Sequence, residues 1–217
     1  MKAKKSRVSK GVAPPTSRRR EQKQQRQEAI LQAAFEVFAA HGFEATRIDD
    51  VARQAGVAKG TIYLYFPDKE RLFQAVVRNL IPKRFDVLVK SMPGSPAALL
   101  RTLITQMYLN VVGNKKVRAI IRMLVAESGR FPQLAEIYHR EIVSHGLAAM
   151  RETIARGVAK GEFQKTAALE FPQLVVAPGL VAVLWKLLFD EHQPLDLDAY
   201  MKAHVDFVLR SLERGRA

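Results

Sequence analysis

The sequence predicts an all-α protein of about nine helices, and three observations carry that reading. Apolar residues recur at i, i+3, i+4 and i+7 in segment after segment. Cap residues and Gly or Pro stops bracket those segments. No Asn-Gly or Asp-Gly turn lies between alternating strands, and no internal repeat is present. With 217 residues, 48% of them hydrophobic, the chain can bury a sizeable core, either as one elongated domain or as a small domain followed by a larger one.

Residues 1–15 are rich in Lys, Ser, Gly and Pro without periodicity and are expected to be a disordered basic tail. After Pro14-Pro15, Ile30, Ala34, Val37 and Phe38, with Leu31 and Phe35 beside them, share one helical face; Thr16 or Ser17 is placed to cap this helix and Gly42 to end it. Thr46, with Asp49 three residues on, is the expected N-cap of a second, short helix that carries Ile48, Val51, Ala52 and Ala55 on one face and stops at Gly56. A third begins near Ala58 and finishes at Phe66, which Pro67 pushes away from helical geometry. Asp68 caps a fourth, with Leu72, Phe73, Val76 and Leu80 inward and a break expected at Pro82. Ser95-Pro96 opens a helix over about 96–112, and others are expected over 116–128 and 132–160. A further stretch over 167–190 is expected to be interrupted at Pro172 and Pro178, and a last helix covers 198–214.

The formal net charge of +14 is unevenly placed: residues 1–26 hold ten Lys or Arg and one Glu, residues 27–72 hold five basic and seven acidic residues, and the remainder carries +7. A concentrated basic arm suits a polyanion, because each neutralised phosphate releases a counterion; a solvated, solubility-promoting tail is the plain alternative. Arg18, Arg19 and Arg20 sit in the expected first turn, where the helix dipole disfavours positive charge, and phosphate would reverse that preference. The longest apolar run, Leu174 to Phe189, has 16 residues and contains Pro178, Gly179 and Lys186, short of the ~20 that a membrane span needs. With no cysteine and no apolar leader, the chain is read as cytoplasmic, without a membrane partner.

The stretch AGVAKGTIYLYF, residues 55–66, groups Lys59, Gly60, Thr61, Tyr63 and Tyr65 on a helix whose Ile62 and Phe66 are expected to face inward. Two short helices joined at Gly56, the second polar on one side, have the layout of a helix-turn-helix whose second helix enters the major groove of double-stranded DNA. Gly60 lets the backbone approach a phosphate and Lys59 brings charge to the helix start. Thr61 is short enough to touch base edges, and the two tyrosine hydroxyls are suited to phosphate oxygens. Taken singly, each tyrosine would read as ordinary half-buried packing.

The run IL.AA...F...G...T.I...A..AGV.KGTIY.YF..KE.LF, from Ile30 to Phe73, resembles the DNA-binding domain of the tetracycline-repressor (TetR) family of transcriptional regulators. The resemblance implies a homodimer whose N-terminal three-helix domains bind a palindromic operator, with a larger helical C-terminal domain that dimerises and holds a small-molecule effector. It places Thr46, Lys59, Gly60, Thr61, Tyr63, Tyr65 and Lys69 at positions that commonly touch DNA. Two departures stand out: Ala58 replaces a frequent Ser, and Arg47 replaces a frequent Thr and adds a candidate phosphate or base contact. The implied domains are 1–15 for the tail, 16–68 for the helix-turn-helix unit and 69–217 for regulation and dimerisation. The implied role is that of a ligand-responsive repressor.

One recognition helix reads too few base pairs to stand out in a genome, so a second half-site, and hence dimerisation, is needed. The last two helices are the interface candidates, through Val181, Leu184, Trp185 and Leu188 and through Val205, Val208 and Leu212; the alternative is that they form the monomer core. Met107, Tyr108, Met123, Phe131 and Tyr138 are candidate effector lining, although apolar residues at helical spacing also serve as plain core. The histidines form no HExxH pair; Glu141 and His145, at i and i+4 just after Tyr138-His139, read as a helix-surface pair, with a metal site the alternative; there is no phosphate loop or nucleophile elbow, so no catalytic residue, metal or cofactor is expected. The rival class is a nucleic-acid-coating protein that binds through its tail and shows no sequence preference.

Overall fold

The first helix buries one face and then must turn sharply at Gly42, and this turn sets the architecture. A computed structural model describes residues 15–80 and 94–213; the expectations for residues 1–14, for Pro82 and beyond residue 213 lie outside them. The helices are α1 (Pro15–Ala45), α2 (Ile48–Ala55), α3 (Lys59–Tyr63), α4 (Lys69–Leu80) and α5 (Pro96–Met107, continued by a π-helical turn, Tyr108–Val112). Then follow α6 (Lys115–Glu127), α7 (Pro132–Tyr138, a π turn at His139–Val143, then Ser144–Ala159), α8 (Ala167–Glu170), α9 (Gln173–Leu188) and α10 (Leu197–Leu212). Among the described residues there is no strand, merely a bridge between Phe163 and Glu213, and no helix is long and apolar enough to cross a membrane.

Among the described residues there are ten helices where nine were expected, because the chain breaks at Pro172 and leaves α8 as a separate turn. Pro178 does not interrupt α9. It removes the bond its nitrogen would give to the Leu174 carbonyl, and Leu174 is exposed, so water can satisfy that carbonyl. Side-chain caps operate at Asp68, Ser95, Asn114 and Asp196. They do not operate at α2: Arg47 holds the N-cap position without a side-chain bond. Thr46 instead turns back and donates its hydroxyl to the Gly42 carbonyl at 2.6 Å.

Two apolar cores result. The first packs Phe38, Phe43 and Phe73 with ring centroids 5.6 to 5.9 Å apart, together with Ile30 from α1 and Ile62 from α3. It continues past residue 68 into α6 and α7 through Ile120, Leu134 and Ile137. The second joins α5, α7, α9 and α10 through Leu100, Ile104, Ile154, Val183 and Val208.

Gly42 has φ 79°, a left-handed conformation, and a Cβ there would strike the carboxylate of Glu127 at the end of α6. That carboxylate accepts from the N–H of Phe43 at 3.0 Å and of Glu44 at 2.9 Å. The carbonyls of the same turn face Lys69, whose ammonium donates to Phe43, Glu44 and Thr46 at 2.7, 3.1 and 3.2 Å. In the second core, buried His204 bonds the Val175 carbonyl through Nε2 and the Tyr108 hydroxyl through Nδ1, each at 2.9 Å. A carbonyl can only accept, so Nε2 carries the proton and Nδ1 accepts from Tyr108.

Glu127→Gln removes the charged acceptor from two backbone donors and is expected to lower the unfolding free energy by about 2 kcal/mol, read as a shift in urea midpoint at constant slope. His204 gives a second prediction. Burial lowers its pKa below the ordinary 6.5, so below that pH the unfolded chain binds more protons than the folded one. Stability is therefore fully supported above pH 6.5 and falls as the pH drops below it. The fall between pH 7 and 5 is expected to be shallower in His204→Gln.

Candidate functional site

The α2–α3 unit is built by a left-handed turn and two inward plugs. Gly56 has φ 65°, and the following N–H of Val57 closes onto the Ala52 carbonyl at 3.0 Å. The five-residue α3 has Ala58 as its N-cap, without a side-chain bond, and is held by a Thr61 N–H bond to the Ala58 carbonyl at 2.8 Å. Ile62 and Phe66 are buried in the first core, which fixes the opposite side outward. Arg47, Lys59, Gly60 and Tyr63 are exposed and Thr61 is half-buried. Open space surrounds Gly60. Tyr65 is half-buried against the first core, its ring 6.2 Å from that of Phe66 and 5.9 Å from Lys23 Nζ.

Three details depart from the sequence reading. Thr46 is 3% exposed with its hydroxyl committed to Gly42, and Lys69 has all three protons directed at carbonyls, so both shape the turn before α2. Lys59 is exposed but not alone: its ammonium lies 2.8 Å from Asp49, and the hydrogen bond to that carboxylate raises its pKa. Leu64, 84% exposed, was missed. The signal was available, since Leu64 lies two residues from both Ile62 and Phe66 and therefore on the face away from the core.

A cavity of about 700 Å³ lies between α4, α5, α6, α7 and α9. Met107, Leu124, Met150 and Val183 give it an apolar wall, while Arg78, Glu141 and His145 reach it from α4 and α7. Met107 and Tyr138, of the five residues expected as lining, border it. Met123 and Phe131 belong instead to the first core and Tyr108 to the second, where each completes packing between helices. Burial pushes the Tyr138 phenol up to about 12. Glu141, expected as a helix-surface partner of His145, accepts from Arg78 Nε at 2.6 Å, Gln74 Nε2 at 2.7 Å and Arg140 Nε at 3.2 Å. The Arg78 hydrogen bond leads in holding its carboxyl down at about 2. No group of three or more potential metal ligands occurs among the described residues.

Of the interface candidates, Val181, Leu184 and Leu188 are exposed on α9, in line with Leu174. Trp185 is half-buried and donates its indole N–H to the Gln193 carbonyl at 2.8 Å. Val205, Val208 and Leu212 are buried in the second core, so for these three the monomer-core alternative holds. Their neighbour Phe207 is 68% exposed on the outer side of α10.

Comparison with known proteins places this geometry. The tetR family of bacterial regulatory proteins matches residues 30–76, and the tetracyclin repressor-like C-terminal domain matches residues 93–208. The uncharacterized HTH-type transcriptional regulator YuxN of Bacillus subtilis (strain 168) is 28% identical over 115 residues, 52% of this chain and 38% of its own length. The HTH-type transcriptional regulator RutR of Escherichia coli (strain K12) is 36% identical over 74 residues, 34% of this chain and 35% of its own. The match thus spans little more than a third of these relatives. Among solved structures, NalD of Pseudomonas aeruginosa, the secondary repressor of the MexAB-OprM efflux pump, aligns with TM-score 0.71 at 21% identity, over 88% of this chain and 98% of its own. FadR of Bacillus subtilis in complex with stearoyl-CoA aligns with TM-score 0.70 at 21% identity, over 85% and 98%. These two likenesses concern the fold. The match across the C-terminal half and the helix-turn-helix together show that the chain belongs to the tetR family of DNA-binding transcriptional regulators.

Proposed function

We propose that the protein is a repressor that binds a palindromic operator as a homodimer and leaves it when a small molecule fills the cavity. The observation that carries this reading is the double role of α4. Its first residue, Lys69, clamps the turn before α2, and Val77 and Arg78 near its other end form cavity wall. In this reading Arg47, Lys59 and Gly60 meet phosphates, Thr61 and Leu64 meet base edges, and the Tyr63 and Tyr65 hydroxyls fix register on the backbone. Exposed Leu174, Val181, Leu184 and Leu188 on α9, with Phe207, supply the dimer face.

The volume and apolar wall suit a mainly hydrophobic effector, within the ~300–1,000 Å³ of ligand sites. Arg78 and Glu141 offer both signs of charge for a polar end. The Bacillus subtilis FadR structure contains stearoyl-CoA and a related one from Saccharomonospora viridis contains choline, which makes these two molecules the first probes.

The test is selection of bound fragments from randomised duplex DNA, followed by titration of variants on the enriched fragment. One inverted repeat is expected. Tyr63→Ala should weaken binding about tenfold at unchanged helicity, whereas Asp49→Asn, which releases Lys59, should strengthen it several-fold. Enrichment of no sequence, or equal affinities for Tyr63→Ala and wild type, would remove the reading. For the effector, linkage requires that a probe weakening operator binding by some factor is itself bound more weakly by that factor when operator is present. Calorimetric titrations with and without operator check this.

A further inference from the structure

The family match begins at residue 30, but α1 begins at Pro15, and from Arg19 to the match the helix packs against little. From Arg19 to Ala29 every side chain is exposed apart from half-buried Gln27, and burial starts at Ile30. This projecting stretch, about 16 Å long at 1.5 Å per residue, is polar all round, so core burial does not hold it. Apart from Arg20, which lies to one side, its charges are nevertheless sorted. Arg19, Lys23 and Arg26 fall at i, i+4 and i+7, and Ile30 at i+11 continues the same face into the core. Glu21 and Glu28 fall on the opposite face, where Glu28 accepts from Gln24 at 3.0 Å.

That sorting works against an isolated helix. Like charges three and four residues apart repel, and positive charge near a helix start opposes the dipole. Alternating the same residues would have avoided both effects. The stripe also has a definite direction, since Lys23 Nζ lies 5.9 Å from the Tyr65 ring, just past the end of α3. The basic face is therefore continuous with the surface that carries Tyr63 and Lys59. The segment that carries that surface is short of positive charge: residues 27–72 hold five basic against seven acidic residues, with Lys59 paired to Asp49 and Arg53 paired to Asp50.

We propose that Arg19, Lys23 and Arg26 form a phosphate-gripping stripe that lies along the duplex backbone flanking the bases read by α3. The occupant is the phosphodiester backbone, argued from charge complementarity and from continuity with the α3 surface; the proposal rests on the DNA-binding reading above. It extends the footprint outside the segment matched by the family and supplies affinity without reading sequence.

The experiment compares the full-length wild type with the triple variant Arg19→Gln, Lys23→Gln, Arg26→Gln. A charge-keeping double variant, Arg19→Lys and Arg26→Lys, and the opposite-face control Glu21→Gln, Glu28→Gln complete the set. Each is titrated at several salt concentrations on the enriched fragment and on the same fragment trimmed of its flanks. Because the three side chains are exposed, folding should be unaffected, which circular dichroism verifies. Three lost contacts should reduce the salt slope by about 2.7, so that affinity falls roughly 40-fold less between 50 and 200 mM salt than for wild type. The loss should appear on the flanked duplex, vanish on the trimmed one and be absent in the Lys variant. An unchanged slope, or an equal drop on trimmed DNA, overturns the stripe while leaving sequence-specific binding intact. If the wild type enriches no sequence but the triple variant still loses slope on random duplex, the stripe stands and the operator reading fails. If the wild type binds no duplex, both fail.

Discussion

At the Gly42 kink near the end of α1 the chain makes a turn, leading into α2, whose donors and acceptors are met from other helices. Gly42, in its left-handed conformation, presents the N–H groups of Phe43 and Glu44 to the Glu127 carboxylate on one side, while the carbonyls of Phe43, Glu44 and Thr46 meet the Lys69 ammonium on the other. Thr46 closes the loop with its own hydroxyl on Gly42. A donor or acceptor cut off from water without a partner costs about 1–3 kcal/mol, and two charges from elsewhere in the chain spare part of that to the part-buried Phe43 N–H and the Phe43 and Thr46 carbonyls. Those charges come from α6 and α4, both of which wall the cavity. The entry angle of α2 is thereby referenced to the helices around the cavity.

The reading helix depends on the same arrangement. A five-residue helix has no stability alone, since nucleation costs more than so few bonds return. It persists because Ile62 and Phe66 sit in a core shared with Ile120, Leu134 and Ile137 of α6 and α7. Close-packed interiors transmit displacement rather than absorb it. Movement of α4, α6 or α7 around a bound molecule therefore has a direct route to α3. Glu141 shows where such movement is resisted: it holds two side chains of α4 from the π turn of α7. A ligand group that competes for Arg78 or Glu141 would loosen that tie. The shift it produces is bounded by the difference in its affinity for the two arrangements.

The helices and the reading head were largely legible in the sequence because both rest on local rules. Apolar periodicity, caps and Gly or Pro stops marked nearly every element, and the inward spacing of Ile62 and Phe66 fixed which side of α3 faces out. What spacing did not reveal is the destination of a polar side chain. Thr46 and Lys69 resemble DNA contacts by position, yet both turn back onto backbone groups that are brought near by folding. The same limit applies to greasy helices. Val181 and Val205 both lie on faces rich in apolar residues, but one is exposed and the other is core, because packing of α10 against α5 and α9 covers one and leaves the other bare. Glu141 was hidden for a related reason, its partners Gln74 and Arg78 lying more than sixty residues away in sequence.

The distribution of charge in the reading head separates two tasks. Asp49 and Asp50 in the first turn of α2 complement its dipole, and pairing with Lys59 and Arg53 offsets the repulsion they would exert on a phosphate backbone. In the proposed reading the result is a surface of little net charge, on which discrimination rests with short-range contacts from Thr61 and Leu64. In that reading such a surface gains little from counterion release and would bind non-specific DNA weakly. Placing the excess positive charge on the projecting end of α1, as proposed, lets affinity be raised without raising the charge at the bases, where it would reward every sequence alike. Discrimination and grip then vary independently, the first with the outward residues of α3 and the second with the basic face of α1.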